Sequence, residues 1–102
     1  MIARLWHGVT DASRADEYYQ YLQRTGIPDY RKTAGNLGVT VLRRIENDKA
    51  HFLLVTLWES QEAIKKFTGP MLEAARYYPE DEQYLHELEP EVTHYEVLAQ
   101  LP

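Results

Sequence analysis

The stretch Phe52–Gly69, FLLVTLWESQEAIKKFTG, constrains the fold more than any other part of the chain. From Ala50 to Glu59 the side chains alternate with strand period, with Leu53, Val55 and Leu57 on one face and Phe52, Leu54, Thr56 and Trp58 on the other. A strand wetted on one side alternates apolar with polar. This one is apolar on both faces and so has to be covered twice. It runs without a linker into Trp58-Glu59-Ser60, where Ser60 is placed to cap a helix over Gln61–Thr68 whose Ala63, Ile64 and Phe67 share one side.

The remaining elements order themselves around that strand. Ile2 to Val9 alternates Ala3, Leu5, His7, Val9 against Ile2, Arg4, Trp6, Gly8 and reads as a strand. Thr10, Asp11 and Ser13 offer cap chemistry for a helix over Ser13–Arg24, with Ala15, Tyr18 or Tyr19, and Leu22 as its apolar stripe. Gly26 is placed for a left-handed residue past the helix end, Pro28 prevents the helix from resuming in register, and Asp29 to Thr33 forms one further turn. Gly35-Asn36 precedes a strand over Leu37–Ile45, and the polar turn Glu46–Lys49 makes an antiparallel hairpin with the central strand. Gly69 stops the central helix. Pro70 then opens a second one, turning Met71, Leu72 and Ala75 inward until Pro79. Glu80–Pro90 is acidic and irregular, with Glu80-Asp81-Glu82 in solvent and a helical tendency near Tyr84, Leu85 and Leu88. A last strand runs over Val92–Leu98.

The order β-α-β-β-α-β predicts an α+β, ferredoxin-like fold: an antiparallel four-stranded sheet with the helices on one face, formed by residues 1–102 as one domain. Two helices cover only one face. A homodimer packed sheet against sheet covers the other, and burying about 600 Å² of apolar surface per subunit would contribute roughly 15 kcal/mol before association costs.

Composition narrows the function classes. The formal charge of -5, with acidic residues gathered from Glu80 to Glu91, speaks against a nucleic-acid partner, which needs clustered Lys and Arg. The absence of cysteine removes disulfides, thiolate nucleophiles and thiolate metal sites. No apolar run approaches the ~20 residues that span a bilayer, and MIARLWHGV leads straight into a strand, so the expectation is a cytoplasmic protein with no membrane partner. His7, His51 and His94 show no metal-ligand spacing, Gly35-Asn36-Leu37-Gly38 is a turn rather than a phosphate loop, and Ser13 and Ser60 are explained as caps. The expectation is accordingly no metal and no cofactor.

The segment Leu57-Trp58-Glu59-Ser60-Gln61-Glu62-Ala63 resembles the W-E/K-S-x-E/Q-A signature of the antibiotic biosynthesis monooxygenase (ABM) domain family, within the dimeric α+β barrel superfamily. The likeness extends through Arg4-Trp6, Glu17-Tyr18 with Leu22, Pro28-Asp29-Tyr30-Arg31, Gly35-Asn36, Phe67, Gly69, and Glu89-Pro90-Glu91-Val92 with His94-Tyr95-Glu96. It implies a dimer and an apolar pocket between sheet and helices. The cofactor-free anthrone oxidisers of that family carry, besides the Trp matching Trp58, an Asn four residues earlier and a Tyr six later, where this chain has Leu54 and Ile64. Its haem-degrading members carry an Asn, a Trp and a His ligand where this chain has His7, Phe67, and Arg76 or Tyr77.

The resemblance thus nominates His7, Trp58 and Arg76 as catalytic residues, with Tyr30, Phe67 and Tyr77 lining a ligand site. His7 would act as base or hydrogen-bond donor and Arg76 would hold a phenolate oxygen. Each also has a plain structural role open to it: a core histidine, a strand-to-helix anchor, a solvent-facing arginine, packed aromatics. The implied activity is oxygenation of a small aromatic or quinone-like molecule without metal or flavin. The alternative is a non-catalytic module that binds a small hydrophobic ligand or only dimerises, with haem binding or degradation third. Convergence of His7, Arg76 and Trp58 on one cavity would separate these readings.

Overall fold

In the computed structural model, which describes residues 1–102, four strands form one sheet: β1 (Ile2–Asp11), β2 (Asn36–Glu46), β3 (Lys49–Trp58) and β4 (Thr93–Glu96). They lie in the order β2-β3-β1-β4 and every neighbouring pair is antiparallel. This is the ferredoxin-like arrangement that the element order predicts. β3 is central and pairs with β1 along its whole length, from Ile2 opposite Trp58 to Asp11 opposite Lys49.

The register sorts the side chains into two layers. Arg4, Trp6 and Thr10 of β1 and Ala50, Phe52, Leu54, Thr56 and Trp58 of β3 are buried on the face that carries the helices. On the opposite face Leu5, His7 and Val9 lie beside His51, Leu53, Val55 and Leu57, all half-buried, and Leu42 of β2 and Tyr95 of β4 extend the surface outward. No element crosses that face. The doubly apolar character of β3 is therefore used once within the chain and left unused on the other side.

Helix α3 (Gln61–Thr68) forms where the sequence places it. The Ser60 hydroxyl accepts the Ala63 N–H at 3.1 Å, Ala63, Ile64 and Phe67 are buried, and Gly69 closes the helix at φ 83°. Gly35 fits tightly against it: a Cβ there would lie 2.4 Å from the Ala63 Cβ, and its φ of 89° also disfavours other residues.

Four local expectations are corrected. A 3-10 turn over Ala12–Arg14 leads into α1 (Ala15–Arg24) with no side-chain cap, so the hydroxyls and carboxylate proposed as caps are not used as such. Gly26 is not left-handed. The chain breaks at Thr25, whose hydroxyl donates to the Tyr21 carbonyl at 2.8 Å, and resumes as α2 (Gly26–Lys32). Pro28 is tolerated because it sits in the first turn of α2, where N–H groups have no intrahelical acceptor. The helix so made, longer than the single turn expected, inserts Tyr30 into the core.

Pro70–Pro79 is not helical, and Met71 points outward, 68% exposed. The backbone of this segment bonds sideways instead: Ala75 N–H to the Pro90 carbonyl and Val92 N–H to the Glu73 carbonyl, each at 2.9 Å, around an Ala74–Glu91 bridge. The Ala74 carbonyl is taken by Arg4, which withdraws it from a helix ladder. The fourth correction concerns Asp81, expected in solvent. It is 3% exposed, opens the short α4 (Asp81–Tyr84), and accepts from the Tyr18 hydroxyl at 2.8 Å and the Tyr78 N–H at 2.6 Å. No helix is long and apolar enough to cross a membrane.

Candidate functional site

The layer between sheet and helices gathers an aromatic cluster at the end where β3 passes into α3. Trp58 is fully buried, with its indole N–H tied to the Thr56 hydroxyl at 2.8 Å. Phe67, one side of α3, brings its ring centroid 6.0 Å from Trp58 and 4.4 Å from Tyr30, which stacks on it. Tyr30 in turn meets Trp58 edge-on. Side chains from α2, β3 and α3 thus build one aromatic wall.

Two guanidinium groups attend that wall. Arg4 lies 5.4 Å and Arg76 4.9 Å from the Phe67 ring centroid, within the range of cation–π attraction. Their circumstances differ. Arg76 is half-exposed, donates to the Phe67 carbonyl at 3.2 Å and pairs with Asp29 at 3.4 Å. Arg4 is 0% exposed, donates to the Tyr30 hydroxyl at 3.1 Å and the Ala74 carbonyl at 3.0 Å, leaves Nε unpartnered, and joins no ion pair. Across the β1–β4 pairing stands His94, whose Nε2 is also buried and unpartnered. Burial, and secondarily the Arg4 charge, hold the His94 pKa below the ordinary imidazole value.

A closed cavity of about 20 Å³ adjoins the wall, bounded among others by Trp6, Tyr30, Arg76, Tyr78 and Asp81. Burial shifts several titratable groups in and around it. Burial raises the Asp81 carboxyl above its usual range, and burial together with Asp81 raises the Tyr18 phenol. Burial raises Tyr78 as well, while its hydrogen bond holds Asp29 low. Tyr77, edge-on to Trp6 and donating to the Glu89 carbonyl, is pushed up to about 12 by burial. Folded phenols whose pKa values exceed the unfolded value keep their stabilising contribution in full below about pH 10 and lose it as pH rises through the folded values. Tyrosinate absorbance and circular dichroism recorded together should therefore show the ionisation of Tyr18, Tyr77 and Tyr78 coinciding with loss of structure above about pH 10. Ionisation of all eight tyrosines near pH 10 with the fold intact would contradict this burial.

The nominated residues fall into two groups. Trp58, Tyr30, Phe67 and Arg76 meet in this layer, and Tyr77 flanks it through Trp6. His7 is on the other face of the sheet, opposite Leu53 in register, and does not converge with Trp58 and Arg76. There it joins a chain of its own: His7 Nδ1 lies 2.6 Å from a Glu89 carboxylate oxygen, and His7 Nε2 lies 3.1 Å from His51 Nδ1. The His–His bond needs a lone pair on one ring, so it survives only while at least one imidazole is neutral. These side chains do not form a metal-binding cluster. Arg4 was the residue that site reasoning passed over. Its signal was present, an arginine in mid-strand in phase with Trp6, but alternation alone did not say which face of β1 turned inward.

The sequence matches the profile of the antibiotic biosynthesis monooxygenase family over residues 11–70, more than half of the chain. No individually curated protein matches it. Among solved structures, one from Bacillus cereus assigned to antibiotic biosynthesis monooxygenases superposes with a TM-score of 0.68 at 14% identity, covering 99% of this chain and 96% of that one. The haem degrader MhuD of Mycobacterium tuberculosis, solved with two haems bound in its active site, superposes with a TM-score of 0.65 at 20% identity, with 100% of both chains covered. An MhuD variant with two manganese protoporphyrin IX molecules bound per active site gives 0.63 at 19% identity, covering 100% of this chain and 99% of that one. At these identities the likeness is one of fold.

Proposed function

Because this chain belongs to the antibiotic biosynthesis monooxygenase family, we propose that it oxygenates a small aromatic or quinone-like molecule in the layer between sheet and helices, using dioxygen without metal or flavin, as a homodimer paired through its open sheet face. The supporting observation is the aromatic wall of Tyr30, Phe67 and Trp58 with the guanidinium groups of Arg4 and Arg76 over it. A planar aromatic stacks on such a wall, and a guanidinium stabilises the oxyanion formed when an acidic C–H conjugated with a carbonyl through an aromatic ring is removed. Asp81 suits the proton transfer, since its raised pKa brings a carboxyl closer to the range of a general base.

The reaction balances without a reductant. The bound enolate passes its electrons to dioxygen, a C–O bond forms, and the hydroperoxide loses water as its O–O bond breaks. One R₂CH₂ and one dioxygen give one R₂C=O and one water. His7 has no part in this scheme, being across the sheet.

Dithranol, an anthrone with such a C–H, provides the test. Under air the wild-type chain should consume one dioxygen per molecule of quinone formed, at a rate above the spontaneous reaction, and Asp81→Asn should lower that rate roughly ten- to hundredfold or more. A wild-type rate equal to the uncatalysed one would favour the non-catalytic binding module. Haem is the second reading, supported by the fold shared with MhuD and by the neutral, unpartnered His94 imidazole within the layer. A shift of the Soret band on titration with haem, lost in His94→Ala, would favour it over the first.

A further inference from the structure

Resting on the placement of the site in the sheet–helix layer, we infer that Arg4 anchors an anion-binding subsite: an oxyanion carried on an aromatic ring takes the place of the Ala74 carbonyl on the guanidinium, and the segment Pro70–Pro79 is the cover that this exchange displaces.

A charge removed from water is costly unless paired and hydrogen-bonded, and buried arginines accordingly have carboxylate partners. Arg4 is 0% exposed yet meets only two neutral acceptors, and Nε has none. Every other arginine that faces a carboxylate does so from a more exposed position, Arg76 with Asp29 among them. No carboxylate forms an ion pair with Arg4. The fold has therefore enclosed a cation without a counter-ion. The two unpartnered groups, Arg4 Nε and His94 Nε2, come from directly paired positions of β1 and β4.

On the helix side Arg4 is enclosed by Tyr30 of α2, Phe67 of α3 and the segment Pro70–Pro79. Of these only Pro70–Pro79 has no helix; it is tied down by the Arg4–Ala74 bond, the paired backbone bonds to Pro90 and Val92, Arg76, and the side-chain bonds of Tyr77 to Glu89 and of Tyr78 to Asp29. The adjoining cavity of about 20 Å³ admits one water and no aromatic ring. Entry of a planar ligand into this layer thus requires the cover to move, and an anion replaces at Arg4 the bond that the cover gives up. A guanidinium bond to a carboxylate, ionised on both sides, exceeds one to a neutral carbonyl by enough for a tenfold or greater preference.

Calorimetric titration of the full chain with naphthoate and with naphthamide, its neutral counterpart, separates the possibilities. Wild type should bind naphthoate at least tenfold more tightly than naphthamide, and Arg4→Gln should abolish the difference. In wild type alone, naphthoate should also raise amide hydrogen exchange at Ala75 and Val92, whose N–H groups tie the cover down, which keeps the test informative should Arg4→Gln fail to fold. Equal affinities in wild type, no binding of either probe, or a preference that survives Arg4→Gln would each overturn the inference. Preference for the anion without dithranol turnover would leave the subsite standing and remove the oxygenase; turnover without the preference would do the reverse.

Discussion

A Leu53→Lys chain should sediment as a monomer at micromolar concentrations at which the wild-type chain should sediment as a homodimer. Leu53 sits mid-strand on the open face of the sheet, between His7 of β1 and Leu42 of β2 in register. In the isolated chain it is half-exposed, so a lysine there can direct its amine to water and leave the monomer folded. In a two-fold interface the same substitution occurs twice, and each amine would be enclosed in an apolar surface that includes Leu5, Val55 and Leu57. A combined cost of about 4 kcal/mol corresponds to a thousandfold loss of affinity. Unchanged far-ultraviolet circular dichroism with loss of the dimer is the expected pair of results. A wild-type chain already monomeric at that concentration would remove the proposed cover for this face and leave the Glu89–His7–His51 chain as a surface feature.

Trp58→Ala should destabilise the fold by about 3–5 kcal/mol in urea denaturation, a large part of the 5–15 kcal/mol typical of a domain. The indole is fully buried, supports Tyr30 and Phe67, and its loss also strips the Thr56 hydroxyl of its donor. Trp58→Phe keeps a ring against the wall and should cost less, which makes it the variant suited to activity measurements. A loss below about 1 kcal/mol for the alanine variant would mean that the aromatic wall is not packed as described.

Why some features were legible and others were not follows from the range of the interactions that decide them. The strands, α3, its Ser60 cap and the Gly69 stop are settled by neighbours within a few residues, and periodicity shows them. The apolar faces of β3 announced the open side of the sheet. That same double apolarity concealed the orientation of β1: with hydrophobic residues in both phases, only pairing with β3 determines that Arg4 goes in and His7 out. Pro70–Pro79 carries helix-forming residues, yet its carbonyls and N–H groups find partners in Arg4, Pro90 and Val92, more than ten residues away. Asp81 looked solvated inside an acidic run because its partners, Tyr18 and Tyr78, are supplied by tertiary contact and by the turn that precedes α4. Of the site, the sequence carried Trp58, Tyr30, Phe67 and Arg76 through resemblance, and Arg4 and Asp81 became visible only with the packing.

In the proposed complex a planar aromatic ligand occupies the sheet–helix layer against Tyr30, Phe67 and Trp58. Titrating isotope-labelled protein with the anthraquinone product of dithranol, and following the indole N–H resonance of Trp58 alongside the His51 and Leu53 signals, tests it most directly. The ligand should move the Trp58 resonance and leave His51 and Leu53 in place. Shifts confined to His51 and Leu53, with Trp58 unmoved, would put the ligand on the open face of the sheet and contradict the account.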